Sequence, residues 1–286
     1  MVLPSSLGGC SLAVLDPQGP IGGAEKTILI DSLAIMLAIV IPTLLASWAF
    51  AWWYRASNTR ARRLPTWTYS GRIELVVWSI PILTVMLLGG VIWIGSHDLD
   101  PAKPLASSSK PLEVQVVSLD WKWLFIYPDQ QIASVNQLVV PAGAPVHFRL
   151  TSGSVMNAFF VPALGSMIYT MNGMVTQLNL QADKPGVFPG LSSHYSGDGF
   201  SGMHFEMRAV PPADFGAWVS GVRSAGPVLD AQAYAALERQ SQDVTPFTYR
   251  AAPAGLFQAI ATQKIPPADG PTAAPAPKSP STRLER

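Results

Sequence analysis

Two long runs of apolar residues dominate the first third of the chain. The first has 23 uncharged residues between Asp31 and Arg55, and the second has 22 between Glu74 and His97. A helix of about 22 residues is about 33 Å long at about 1.5 Å per residue, which is enough to cross the ~30 Å hydrocarbon core of a bilayer. Neither run carries the polar face that a core helix of this length normally has in a soluble protein. The pattern therefore predicts two transmembrane helices.

After the second run the hydrophobic period changes to two. From Leu112 onward, apolar and polar residues alternate in short segments that are separated by Gly, Pro and Asn. This is the pattern of β-strands joined by turns, and several short strands at close spacing are typical of a sandwich or barrel. Further on, DAQAYAALERQ reads as helical, and the last residues are rich in Pro and Ala.

The predicted organisation therefore has a membrane part, a β part and a helical end. Its segments are an outer N-terminal segment at 1–27, a transmembrane hairpin at 28–97 with spans at 28–54 and 74–96, a Pro/Ser linker at 98–111, an all-β domain at 112–212, a helical region at 213–264 and a disordered tail at 265–286.

Composition and charge agree with a membrane protein. Of the 286 residues, 49% are hydrophobic and only 13% are charged, which excludes an ordinary soluble protein. The loop between the two spans contains five arginines: Arg55, Arg60, Arg62, Arg63 and Arg72. The outer flanks hold two lysines nearby, Lys26 and Lys103. The positive-inside rule then predicts a cytoplasmic loop and two outer termini.

Candidate chemistry is concentrated in residues 191–207, LSSHYSGDGFSGMHFEM. The spacing S-x-x-x-S-G-x-x-F-x-x-M places Ser192, Ser196, Phe200 and Met203. With Cys at both serines and His at the phenylalanine, this spacing would supply thiolate, imidazole and thioether ligands for copper. Only Met203 keeps the chemistry of a ligand here. Since the chain contains one cysteine, Cys10, a copper site with two thiolates is excluded.

The same loop permits two other interpretations. Gly197, Gly199 and Gly202 fit G-x-G-x-x-G, but the dinucleotide fingerprint requires a helix after the glycines. A strand-like segment, MHFEMRAV, follows instead, so we favour glycines retained from the geometry of a metal loop. A relocated metal site at His194, Met203 and His204 is the other alternative. We favour the interpretation that these are an ordinary loop His and an ordinary strand His.

Several segments together carry a family resemblance. The two spans, followed by DWKWLFIYP, TSGSVMNAFFVP and SSHYSGDGFSGM, resemble subunit II of the haem–copper respiratory oxidases, over roughly residues 10–260. Among these, the chain is most similar to subunit II of the cytochrome bo-type ubiquinol oxidases. The resemblance implies a membrane protein in which a two-helix transmembrane hairpin precedes an all-β cupredoxin-like domain and a short helical C-terminal region.

The resemblance also locates a lost copper centre. In the cytochrome c oxidases of this superfamily, the cupredoxin domain holds a dinuclear copper centre that accepts electrons from cytochrome c. Carried over, the first His of that centre falls on Asn157, the two Cys on Ser192 and Ser196, the second His on Phe200 and the Met on Met203. The Glu that contributes a backbone carbonyl falls on His194. These departures match the quinol branch, which implies no metal and no catalytic residue in this chain.

Two further residues have functional interpretations. Glu74 lies at the cytoplasmic mouth of the second span, where the helix dipole favours a carboxylate. By resemblance to the superfamily, this position is also the entrance of a proton-uptake channel, and both interpretations stay open. Cys10 follows Leu7-Gly8-Gly9, which looks like a bacterial lipoprotein cleavage site. Because only nine residues precede it, either the true start lies upstream or Cys10 is unmodified.

The expected function is that of subunit 2 of a proton-pumping ubiquinol oxidase that reduces oxygen to water. The chain would support the complex without a redox centre, and the haem and copper would belong to subunit I. We expect a multi-pass protein of the bacterial inner membrane with its C-terminal domain in the periplasm, and no nucleic-acid partner. The alternatives are a menaquinol oxidase subunit and a free-standing, membrane-anchored binding or assembly protein.

Overall fold

The computed structural model of the protein describes residues 13–62, 64–107 and 109–270. These residues form two compact units. One unit is Ala24–Asp100, and the other comprises the described residues before and after it. The predicted lipidation site at Cys10 and residues 271–286 of the predicted tail lie outside the described residues.

The first unit is built from two helices, α1 (Pro20–Trp53) and α2 (Gly71–Asp98). Both are long and apolar enough to cross a membrane, and their apolar windows are exposed. A Cβ added at Gly95 would lie 2.8 Å from Cδ1 of Ile28, so this glycine lets the helices approach each other closely. Both helices begin before the predicted spans, because residues on the polar side of each span also take up helical geometry.

The second unit is a two-sheet β domain with helices at its C-terminal end. Its strands are β1 (Leu112–Leu119), β2 (Lys122–Tyr127), β3 (Ile132–Val135), β4 (Gln137–Pro141), β5 (Pro145–Ser152), β6 (Asn157–Phe160), β7 (Ile168–Thr170), β8 (Thr176–Gln181), β9 (Gly186–Ser192), β10 (His204–Val210) and β11 (Phe247–Tyr249). One sheet has the order β11-β3-β2-β1-β5-β8, and the other has the order β4-β10-β9-β6-β7. The predicted class, a membrane hairpin followed by an all-β cupredoxin-like domain, is confirmed.

Alternation along the strands places the main core between the sheets. In β5, Phe148 is buried while His147 and Arg149 are half-buried, as the period of two predicts. Aromatic rings fill the centre of the core. The Trp123 indole meets the Phe159 ring edge to face at 5.5 Å, and Phe159 stacks on Phe205 at 5.1 Å. Such pairs stabilise a core beyond their buried area.

The C-terminal region contributes three helices and one strand. The helices are α3 (Pro212–Ser224), α4 (Ala231–Glu238) and α5 (Leu256–Ala261). Strand β11 lies among them and pairs antiparallel with β3, so the region predicted to be helical also extends a sheet. A strand of three residues is too short to produce a recognisable alternation.

The first residues of the predicted tail contact the domain. Ile265 packs against a second hydrophobic core, and the Ala268 amide donates to the Gly153 carbonyl at 2.9 Å. These contacts involve residues far apart in the sequence, which composition alone does not reveal.

Candidate functional site

The candidate site is the loop between β9 and β10, residues 193–203, whose two ends are fixed by backbone hydrogen bonds. The Ser192 amide donates to the Met203 carbonyl at 3.2 Å, which closes the loop at its base. The next amide, that of Ser193, donates to the Ala158 carbonyl of β6 at 3.1 Å. The loop is therefore held between two strands of the same sheet.

Three of the predicted positions meet at this base. The Ser192 Oγ donates to Asn157 Oδ1 at 3.0 Å, and it also lies 3.2 Å from the His194 carbonyl oxygen. Asn157 Nδ2 in turn reaches the Val155 carbonyl at 3.4 Å. Asn157 and Ser192 are both buried, so their polar groups need these partners. A neutral amide–hydroxyl network thus occupies the positions that the resemblance assigns to an imidazole and a thiolate.

The remaining positions make mostly apolar contacts. Met203 is 1% exposed and belongs to the main core. The half-buried Phe200 ring meets the Tyr195 ring edge to face at 5.6 Å. Ser196 is buried, and its Oγ has no hydrogen-bond partner among the described residues. The structure therefore joins Asn157, Ser192 and the His194 carbonyl, while Phe200 and Met203 pack as hydrophobic side chains.

A tryptophan from the opposite sheet covers the loop. The Trp121 indole Nε1 donates to the Ser196 carbonyl at 3.0 Å. A Cβ added at Gly199 would lie 2.2 Å from Cδ2 of the Trp121 ring, so only glycine allows this approach. The indole contact and the glycine together fix the conformation of the loop.

The conformation of Trp121 has no clear signal in the sequence. The segment VSLDWKWLFIYP reads as one aromatic strand, but the structure turns at Asp120 and Trp121, and Trp121 has φ 61°. A positive φ is uncommon for a large residue, and no Gly or Asn marks the turn. Trp121 and Trp123 nevertheless contribute to the same core.

The donor set of the loop does not fit a copper centre. Copper sites of this kind use thiolate and imidazole, whereas the loop offers hydroxyls, an amide and a phenyl ring. The one soft donor is the Met203 thioether, which lies in the hydrophobic core. Among the described residues, no group of three or more His, Cys, Asp or Glu side chains is placed to hold a metal ion. These observations are compatible with a chain that has no redox centre of its own.

Charged residues flanking Trp121 form a buried cluster that sequence reasoning missed. Lys122 is 1% exposed, and its Nζ donates to the Arg239 carbonyl and to Ser241 Oγ, each at 2.7 Å. Burial lowers the pKa of Lys122 from its ordinary value of 10.5 to about 8, and the negative charge of Asp120 opposes this shift. The Asp120 carboxylate accepts from Ser154 Oγ at 2.5 Å. The cluster joins the β1–β2 hairpin to the segment after α4.

A second carboxyl belongs to the same region. Burial raises the pKa of Glu238, the last residue of α4, and the charge of Asp120 adds to the effect. The only sequence signal for this cluster is the pair of charged residues around Trp121 in an otherwise apolar stretch.

Glu74 lies in the other unit, in the first turn of α2. It is exposed, and its Oε2 accepts from the Trp78 indole Nε1 at 3.0 Å, one helical turn further on. This geometry suits an interfacial carboxylate and leaves the carboxyl open to solvent.

Comparison with known proteins gives a consistent assignment. The family described as cytochrome C oxidase subunit II, periplasmic domain, matches residues 125–210. Ubiquinol oxidase subunit 2 of Acetobacter aceti is 49% identical over 256 residues, which cover 89% of this chain and 83% of that protein. Cytochrome bo(3) ubiquinol oxidase subunit 2 of Pseudomonas aeruginosa is 47% identical over 257 residues, which cover 90% of this chain and 78% of that protein.

A solved structure is also similar to part of the chain. The periplasmic domain of subunit II of cytochrome oxidase from Bradyrhizobium japonicum aligns with 40% of this chain and 96% of its own, at 26% identity and a TM-score of 0.38.

Proposed function

Since this chain belongs to the family of ubiquinol oxidase subunit 2, we propose that it is the second subunit of a proton-pumping complex that oxidises ubiquinol and reduces oxygen to water. The chain supports the complex and carries no redox centre. The observation on which this proposal rests is the neutral network at the base of the loop. There the Ser192 hydroxyl donates to the Asn157 amide oxygen at 3.0 Å, at positions that a copper centre would need for a thiolate and an imidazole.

The partner in this proposal is a haem- and copper-bearing subunit I, together with further oxidase subunits. Two features of α1 and α2 support a partner subunit. Their apolar surfaces are exposed, and each helix carries a proline, Pro42 or Pro81, well inside the span. A proline inside a helix leaves a backbone carbonyl without its usual donor, and in lipid neighbouring helices help to satisfy it. At Gly89 and Gly90, an added Cβ would meet no described atom within 4 Å, which leaves room for a helix of another subunit.

We further propose that the complex lies in the bacterial inner membrane, with the β domain in the periplasm. The arginines of the loop between α1 and α2 support a cytoplasmic position for that loop. The β domain, which follows α2, then lies on the opposite side of the membrane.

The choice of electron donor tests the proposed function. We would tag this chain, purify its complex in mild detergent and measure oxygen uptake with ubiquinol and with reduced cytochrome c. Rapid uptake is expected with ubiquinol alone, because the loop holds no centre that accepts electrons from cytochrome c. The proposal fails if cytochrome c sustains the uptake, or if no oxygen-reducing partner accompanies the chain under conditions that preserve other respiratory complexes.

We also propose Glu74 as the entrance of a proton-uptake path into subunit I. Glu74→Gln is expected to slow ubiquinol-driven oxygen uptake several-fold, because it removes the titratable group while its amide oxygen still accepts from Trp78. Trp78→Phe is the matched control, since it removes this hydrogen bond and keeps the carboxylate. Full activity in Glu74→Gln would show that Glu74 is only an interfacial carboxylate.

A further inference from the structure

A cavity of about 600 Å³ lies at the end of the helix pair where the arginine-rich loop connects α1 to α2. This volume is within the range of about 300–1,000 Å³ that is typical of small-molecule sites. Its walls are mostly apolar and aromatic, with one charged side chain among them. The lining residues are Phe50, Tyr54, Arg62, Leu64, Trp67 and Ile73.

With α1 and α2 crossing the membrane as proposed above, the cavity would lie at the level where a membrane changes from acyl chains to headgroups. Phe50 belongs to the last turn of α1, Ile73 belongs to the first turn of α2, and Trp67 comes from the loop between them. Trp and Tyr rings prefer this depth, because their apolar bodies contact acyl chains while their polar atoms contact headgroups. A ligand of the cavity would therefore have both an apolar and a polar part.

The charged residues around the cavity indicate that the polar part of its ligand is an anion. The chain has no Asp or Glu between Asp31 and Glu74, whereas the loop carries several arginines. Arg55 is already engaged, because its Nη1 donates to the Trp52 carbonyl at 2.9 Å and its guanidinium stacks on the Trp52 ring at 4.7 Å. Arg62 is exposed, and no carboxylate of the described residues forms an ion pair with it. The cavity therefore offers one unpaired guanidinium to an anion.

We propose that this cavity binds an anionic phospholipid. The Arg62 guanidinium would hold the phosphate through paired N–H donors, a geometry that suits arginine better than lysine. The rings of Phe50 and Trp67 would contact the first part of an acyl chain. Bound in this way, the lipid fills the space between the ends of the helices, and its retention depends on both the charge and the apolar walls.

Lipid retention by the intact complex tests this inference. The complex would be reconstituted into nanodiscs of phosphatidylcholine with a minor fraction of phosphatidylglycerol, re-extracted in mild detergent, and its retained lipids quantified by mass spectrometry. Arg62→Gln is expected to lower the ratio of retained phosphatidylglycerol to phosphatidylcholine about fivefold, the effect of about one basic side chain at an anionic surface. Arg60→Gln is the matched control, since Arg60 is exposed in the same loop and does not line the cavity.

Three results from the arginine variants would overturn the inference. Equal losses in the two arginine variants would mean a general attraction between the loop and anionic lipid. An unchanged lipid ratio in Arg62→Gln would mean that no lipid binds there through Arg62. Loss of other subunits from this variant, with an unchanged lipid ratio in the complex that remains, would make the cavity a protein interface.

If Arg62→Gln yields no complex, Trp67→Leu tests the apolar wall and is expected to lower phosphatidylglycerol retention while Arg62 is kept. Retention unchanged in Trp67→Leu would overturn the inference on its own.

Discussion

Four substitutions, Asn157→His, Ser192→Cys, Ser196→Cys and Phe200→His, are expected to give this chain a dinuclear copper centre. Together with Met203 they supply the thiolate, imidazole and thioether donors that soft copper sites use. The geometry favours the change, because Ser192 Oγ already lies 3.0 Å from Asn157 Oδ1 and 3.2 Å from the His194 carbonyl oxygen. The measurements are copper per chain by elemental analysis, and thiolate-to-copper charge-transfer absorption in the visible range.

The double variant Asn157→His/Phe200→His is the control for this prediction. It has both imidazoles and neither thiolate, so it is expected to bind copper weakly and to show no such absorption. Ubiquinol-driven oxygen uptake by the fourfold variant should be unchanged, because in the proposed complex electrons from quinol do not pass through this domain. A fourfold variant that melts like the parent chain yet takes up no copper would show that the loop does not have the geometry of a copper site.

The membrane hairpin and the candidate loop were predictable because each has a strong local pattern. Uncharged runs as long as those before Arg55 and before His97 have few structural alternatives. The spacing from Ser192 to Met203 has the outline of a metal loop, although most of its residues cannot be ligands. Family resemblance then supplied Asn157, which lies in another strand and which the spacing alone does not connect to the loop.

The features that were missed depend on contacts between distant parts of the chain. Trp121 adopts a positive φ at a turn with no glycine, which follows from its packing on the loop at Ser196 and Gly199. Lys122 is buried because residues 239–241 return to contact it. Period and composition report only local preferences, so neither could identify a partner more than one hundred residues away.

Lys122→Met is expected to destabilise the β domain by about 3 kcal/mol near pH 9. The substitution leaves the Arg239 carbonyl and the Ser241 hydroxyl without their buried donor, and each such loss costs about 1–3 kcal/mol. For a domain of about 150–250 residues, about 3 kcal/mol lowers Tm by about 6–12 °C, which calorimetry of the purified complex can measure.

The pH dependence of this loss separates the buried lysine from an ordinary packing defect. The folded pKa of Lys122, about 8, lies below its unfolded value of 10.5. Between these values the unfolded chain binds more protons, so the parent protein gains stability as pH rises through this window. Lys122→Met lacks the group, and therefore the difference in Tm between parent and variant should be larger at pH 10 than at pH 7.5.

Lys110→Met is the matched control for the buried lysine. Lys110 makes a surface ion pair with Asp129 at 3.1 Å, and its side chain is 83% exposed, so its loss should change Tm little at either pH. Equal pH profiles for the two lysine variants would mean that Lys122 titrates as a solvent-exposed amine. Because residues 239–241 are the acceptors that bury Lys122, that result would also mean that the segment after α4 does not pack on the hairpin that carries Trp121.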